Sequence, residues 1–194
     1  MRPPRGYSRE MSETAVPPSA TPDDKDWTWT TRSPCAECGF DPSACPTGSF
    51  PTAIREFAAR VETAIMGPDA TLRPDPTTWS TVEYAYHVAD VCEVMSQRLD
   101  AMLATAPAAA RFESWDGEAV AVEKEYWRAT PADVRELLRE RAEAAATRFA
   151  SPVGDQWEAR GLRGDGVGFT AHSLGLYLLH ELAHHAHDVE GSPV

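Results

Sequence analysis

Residues 174–189 read LGLYLLHELAHHAHDV, and this stretch decides how the chain folds. Leu174, Leu176, Leu178, Leu179 and Leu182 fall on all sides of a helix, and a helix apolar all round is buried. A long buried helix needs other helices around it. His180 and His184 are four apart, so they stand one above the other, where both imidazoles can hold one metal ion. His187 lies near the same stripe, whereas His185 is turned ~100° away from His184. Burying imidazoles costs free energy unless each finds a partner, and a metal satisfies two at once. The plainer alternative is a pair of core histidines held by hydrogen bonds.

Working outward, Thr170 caps this helix, with Phe169 and Leu174 as a hydrophobic staple, and it runs over about 170–188. The loop GLRGDGVG at 161–168 differs in order from G-x-G-x-x-G, follows no strand and precedes no lysine, so it is not a phosphate loop. Trp115-Asp116 is expected to pack on the helices rather than line a pocket. Thr130-Pro131 opens a helix over 131–150, and a short helix is expected over 118–127. Ser80 with Glu83 forms a capping box, with Trp79 and Tyr84 as its staple, and starts a helix over 80–105. Ile54, Phe57, Ala58, Val61 and Ile65 mark a helix over 50–66, ended by Gly67-Pro68. No stretch shows sustained strand alternation. The expected class is all-α, a four-helix bundle over 50–190.

The chain has 194 residues, with 18 Lys and Arg against 30 Asp and Glu, a net charge of −12. An acidic surface repels phosphate, and no basic run interrupts it, so nucleic acid and anionic membranes are not expected partners. No run approaches the ~20 apolar residues of a membrane span. The first ten residues, MRPPRGYSRE, lack the apolar core of a signal peptide, and a cytoplasmic location is expected. Residues 1–26, rich in proline and small polar residues, read as a disordered tail. Residues 27–49 contain Trp27, Trp29 and Phe40 and read as an ordered arm.

That arm carries Cys35, Cys38 and Cys45; the fourth cysteine, Cys92, lies inside a helix. Clustered cysteines in a large intracellular domain suggest metal or redox chemistry. The three offer zinc ligands, but a four-cysteine site lacks its second close pair. A Cys35–Cys38 redox pair and plain packing stay open, although no βαβ pattern supports a thioredoxin-like reading.

His180-Glu181-Leu182-Ala183-His184 also matches H-E-x-x-H, the zinc motif of metallopeptidases, with the Glu as general base. That chemistry needs a third ligand. In the metzincin pattern it is a His six residues past the second His, with a Gly three past it; here Glu190 and His187 stand there. The third ligand is therefore expected from upstream, which disfavours the peptidase. His87, in WSTVEYAYHVADV, is the source, with Glu83 and Asp90 on its face to orient it. His172 sits too far along the axis from His184.

These residues resemble the DinB-like superfamily of metal-binding four-helix bundles. The resemblance covers roughly 50–190 and rests on W-S-x-x-E-x-x-x-H-V-x-D at 79–90 and the H-x-x-x-H pair of the last helix. It implies a metal triad of His87, His180 and His184 with positions left open. Members include maleylpyruvate isomerases using mycothiol and S-transferases using mycothiol or bacillithiol, in which an open metal position ionises a thiol. The element from Cys35 to Asp41 is similar to one in a subset of these proteins.

The reading is a metal-dependent enzyme that transfers a thiol to, or isomerises, an electrophilic small molecule. Zinc and nickel both suit imidazoles. Mycothiol is the expected co-substrate, and a homodimer stays open. No general base is assigned: His185, His187, Glu83 and Asp90 are all candidates. The alternatives are a non-catalytic, stress-related metal-binding bundle and the disfavoured H-E-x-x-H peptidase.

Overall fold

The computed structural model describes residues 25–191 together with Pro17 and Ala20. The tail expected over 1–26 lies outside the described residues, apart from Pro17, Ala20, Lys25 and Asp26.

Four long helices form the body: α1 (Phe50–Ala64), α2 (Thr81–Thr105), α4 (Pro131–Phe149) and α5 (Ala171–Glu190). A short α3 (Gly117–Glu123) precedes α4. The starts follow from local chemistry. Ser80 Oγ accepts from the Glu83 amide at 3.3 Å, and Glu83 returns by accepting from the Ser80 amide at 2.8 Å. Such a cap stabilises a helix by about 1 kcal/mol. Thr170 caps α5 in the same way through Ser173.

Both α1 and α2 pack against α4 and α5. The core between them is Phe50, Ile54 and Val61 from α1, Val88, Val91 and Leu99 from α2, Leu138 and Phe149 from α4, and Leu174, Leu178 and Leu182 from α5, all buried. Each such side chain contributes about 1.5–3 kcal/mol by leaving water. Among the described residues no helix is long and apolar enough to cross a membrane.

The all-α expectation needs one correction. Three short strands, β1 (Ala110–Phe112), β2 (Arg160–Arg163) and β3 (Gly168–Thr170), form a sheet in that order. β1 pairs parallel to β2, with Ala110 opposite Gly161, and β2 pairs antiparallel to β3, with Gly161 opposite Phe169. The glycine-rich segment is thus the turn of a small hairpin leading into α5. Strands of three or four residues are too short for alternation to show in the sequence.

The arm before α1 is built of three 3-10 turns, Trp27–Thr31, Pro42–Ala44 and Thr47–Ser49. Asp26 caps the first by accepting from the Thr28 amide at 2.9 Å, and Asp41 caps the second through the Ser43 amide at 2.9 Å. The turn at Trp27–Thr31 packs against α5. Trp27, Cys35 and Phe40 are buried there.

Candidate metal centre

The set His87, His180 and His184 divides in the structure. His87 meets Glu181 and His185, one donor atom of each lying within 4.8 Å of the others. His180 and His184 instead meet Cys35 and Cys38, again with donor atoms within 4.8 Å. The reason is helical geometry. His180/His184 and Glu181/His185 are two i,i+4 ladders offset by one residue, so they occupy faces ~100° apart on α5. α2 lies over one face and the arm over the other.

The first cluster is held by neighbours on several elements. The His87 and His185 rings meet edge to face at 4.8 Å between centroids. His185 Nδ1 is 3.0 Å from Asp188 Oδ2. A carboxylate accepts, so that nitrogen carries the proton and Nε2 presents its lone pair, 3.7 Å from Glu181 Oε2. Burial works against the Asp188 carboxylate, but the His185 bond and the neighbouring histidines bring it below its usual range. The Tyr177 hydroxyl bonds to Glu181, and its phenol is pushed up by the Glu181 charge and by burial, so it stays a donor.

His87 is pushed well below its ordinary 6.5, first by burial and then by the positive charge that His185 carries when it is protonated. It is therefore the neutral, ligating form at pH 7. Its Nδ1 has no hydrogen-bond partner among the described residues. Trp115 stacks on one side at 5.2 Å and Trp79 lies at 5.2 Å. Gly117 lets the start of α3 close over this ring: a Cβ there would fall 2.7 Å from His87 Cε1.

A cavity of about 660 Å³ opens on this cluster. Trp79, Trp115, Asp116 and Glu118 line it together with His87, Glu181 and His185, and its wall continues past Trp27, His180 and His184. Trp115-Asp116 therefore does more than pack. Asp116 caps α3 through the Glu118 and Ala119 amides, and Trp115 walls the cavity beside His87.

Glu83 and Asp90, expected to orient His87, are engaged elsewhere. Glu83 is taken by Arg73, at 2.9 Å from Nε, and by the Ser80 cap. Asp90 accepts from Lys124 at 2.7 Å, from Tyr126 and from Arg141, which ties α2 to α4. Both carboxylates are buried, so each needs these cations. The partner that orients a cluster histidine is Asp188, on α5 itself.

Of the cysteines, Cys45 stands apart, its sulfur 3.5 Å from the Asp41 carbonyl, and Cys92 is buried within α2. All four are free thiols. Burial pushes the Cys38 thiol up to about 11, although the Phe40 amide favours the thiolate. His172 stacks on Phe50 at 5.9 Å, away from both clusters.

A four-helix bundle whose last helix presents two clusters of metal-ligating side chains is the class of protein this fold defines. The chain belongs to the DinB superfamily, whose profile matches residues 50–189. No curated protein matches it in sequence. Two solved structures are similar. One is YfiT from Bacillus subtilis, described as a probable metal-dependent hydrolase with an unusual four-helix bundle topology. It shares 22% identity at a TM-score of 0.63, over 74% of this chain and 84% of that one. The other is the mycothiol-dependent maleylpyruvate isomerase, with 14% identity and a TM-score of 0.58, over 76% of this chain. This chain spans 62% of the isomerase. At these identities the likeness concerns the fold.

Proposed function

We propose that the chain is a metal-dependent DinB-type enzyme whose metal is held by His87, Glu181 and His185. The observation that carries this is the convergence of two imidazoles and one carboxylate at the wall of a 660 Å³ cavity. Two histidines and a carboxylate suit a divalent metal such as zinc or nickel and leave positions for exogenous ligands. A metal bound there supplies Lewis acidity that turns a coordinated thiol or water into a nucleophile at neutral pH.

The chain's own residues prepare that chemistry. Asp188 fixes the His185 tautomer, Tyr177 holds the Glu181 carboxylate, and burial keeps His87 neutral. Trp79 and Trp115 give the cavity flat apolar walls, while Asp116 and Glu118 supply polar groups. The substrate class proposed is an electrophilic small molecule, handled by thiol transfer or isomerisation with a mycothiol-type thiol in the cytoplasm. The likeness to the mycothiol-dependent isomerase supports the thiol.

Polar side chains around the cluster favour an enzyme over a non-catalytic stress-related bundle. The peptidase reading loses support, because it needs Glu181 as base beside a metal on His180 and His184, and Glu181 instead stands among the donors of the other cluster. The test is thiol consumption with mycothiol and a maleylpyruvate-class electrophile. Metal-dependent turnover that disappears in His87→Ala and Glu181→Ala is expected. Turnover that survives both overturns the assignment.

A further inference from the structure

We infer that Cys35, Cys38, His180 and His184 form a second, structural zinc site that fastens the N-terminal arm to α5. It is independent of the catalytic reading, since it shares no ligand with His87, Glu181 and His185.

The donor set points to zinc. Two thiols and two imidazoles, with no carboxylate among them, make a complete four-ligand shell for a tetrahedral ion. Zinc bond lengths require ligand-to-ligand edges of ~3.3–3.8 Å, and the four atoms already lie within 4.8 Å before any ion draws them together. The spacing is C-x2-C on the arm and H-x3-H on a helix, both usual for structural zinc. Cys35 and His180 are buried and Cys38 and His184 half-buried, and the four donors fill a tetrahedral shell where the catalytic cluster offers only three.

The backbone of the arm is shaped for this. The Cys35 amide donates to the Phe40 carbonyl at 2.8 Å, and the Gly39 amide donates to the Cys35 carbonyl at 2.9 Å. Gly39 closes the turn at φ +76°, a conformation that L side chains rarely adopt. This tight turn sets both sulfurs toward α5. Trp27 then covers the imidazoles, its ring 5.1 Å from His180 and 4.7 Å from His184, and Phe40 meets His180 edge-on at 5.8 Å. Glu37 and Asp188 stand 3.8 and 3.9 Å from His184 Nε2.

Binding would displace two thiol protons to solvent and leave two thiolates on the ion. The arm has little regular structure, and a metal supplies the folding energy that so short a segment cannot draw from apolar burial. It also fixes the rotation of α5, which carries Glu181 and His185 one residue further on. A Cys35–Cys38 disulfide would use the sulfurs but leave the placement of two imidazoles against them without a purpose.

The experiment uses the full chain, purified under reducing conditions and loaded with Zn2+ or Co2+ alone. About one zinc equivalent is expected to vanish in Cys38→Ser and to persist in His87→Ala. Co2+ should give a thiolate-to-metal charge-transfer band that follows the same pattern. Cys38→His keeps four donors and guards against simple misfolding: zinc stays and the Co2+ band falls to about half. Absence of a thiolate band in the wild-type chain overturns the site. So does zinc content unchanged in Cys38→Ser. Loss of activity in His87→Ala alone bears only on the catalytic cluster.

Discussion

Two faces of α5 carry similar side chains and are prepared for opposite tasks. One presents Glu181 and His185 to His87 at the wall of a large cavity. The other presents His180 and His184 to Cys35 and Cys38 beneath Trp27 and Phe40. Both clusters border the same cavity, but three donors leave a coordination position for a substrate, while four donors fill a tetrahedral shell. The difference teaches that an H-x-x-x-H pair does not define a site. What lies across from it does.

The sharpest way to break this contrast is to remove one donor from each face. His87→Ala and Glu181→Ala should reduce turnover by at least ~10³-fold, about 4 kcal/mol of transition-state stabilisation, with the zinc of the cysteine site still bound. Cys38→Ala should do the reverse. Loss of a zinc held at 100–1,000 times its dissociation constant removes about 3–4 kcal/mol of stability, a fall of roughly 10 °C in Tm, with most turnover retained. Thermal scans and initial rates on the same preparations check both. If the two variants behave alike, the faces do not have separate roles.

Asp188 sharpens the contrast further, because it stands 3.0 Å from His185 and 3.9 Å from His184. Asp188→Asn should weaken metal at the open cluster by about 10–100-fold, the usual cost of losing a carboxylate behind a ligating imidazole. The closed cluster should change less, since its contact is longer. Competition with a chromophoric chelator resolves the two affinities.

The smallest effect is in acid. In metal-free protein His87 has a folded-state pKa below its unfolded value near 6.5. The unfolded chain then takes up the proton first, so stability is full above about pH 6.5 and is lost as pH falls toward the depressed value. One proton gives a slope of at most ~1.4 kcal/mol per pH unit. His87→Gln should flatten the acid limb of urea midpoints by up to that slope. An unchanged limb would show that burial does not hold His87 neutral.

Much of the fold is legible in the sequence because its signals are local. The Ser80–Glu83 box, the Thr170 cap and Pro131 mark helix starts that the structure keeps. The leucines of α5 announce its burial. The sheet is not legible, since its three or four residues per strand find partners only through the tertiary fold. The site is half legible. His87 and the histidines of α5 stand out by type and spacing. Their sorting does not, because it depends on which element lies over each face of α5. The signal that Glu181 and His185 form their own i,i+4 pair is present one residue out of register with the first. Likewise the second pair that the cysteine arm lacks in sulfur is supplied in this account by the imidazoles of His180 and His184, nearly 150 residues away in the chain.

The most direct measurement is anomalous diffraction from zinc-loaded crystals of the full chain, on both sides of the zinc absorption edge. The account predicts two separate peaks, one among His87, Glu181 and His185 and one among Cys35, Cys38, His180 and His184. A single peak shared by His87, His180 and His184 would contradict it.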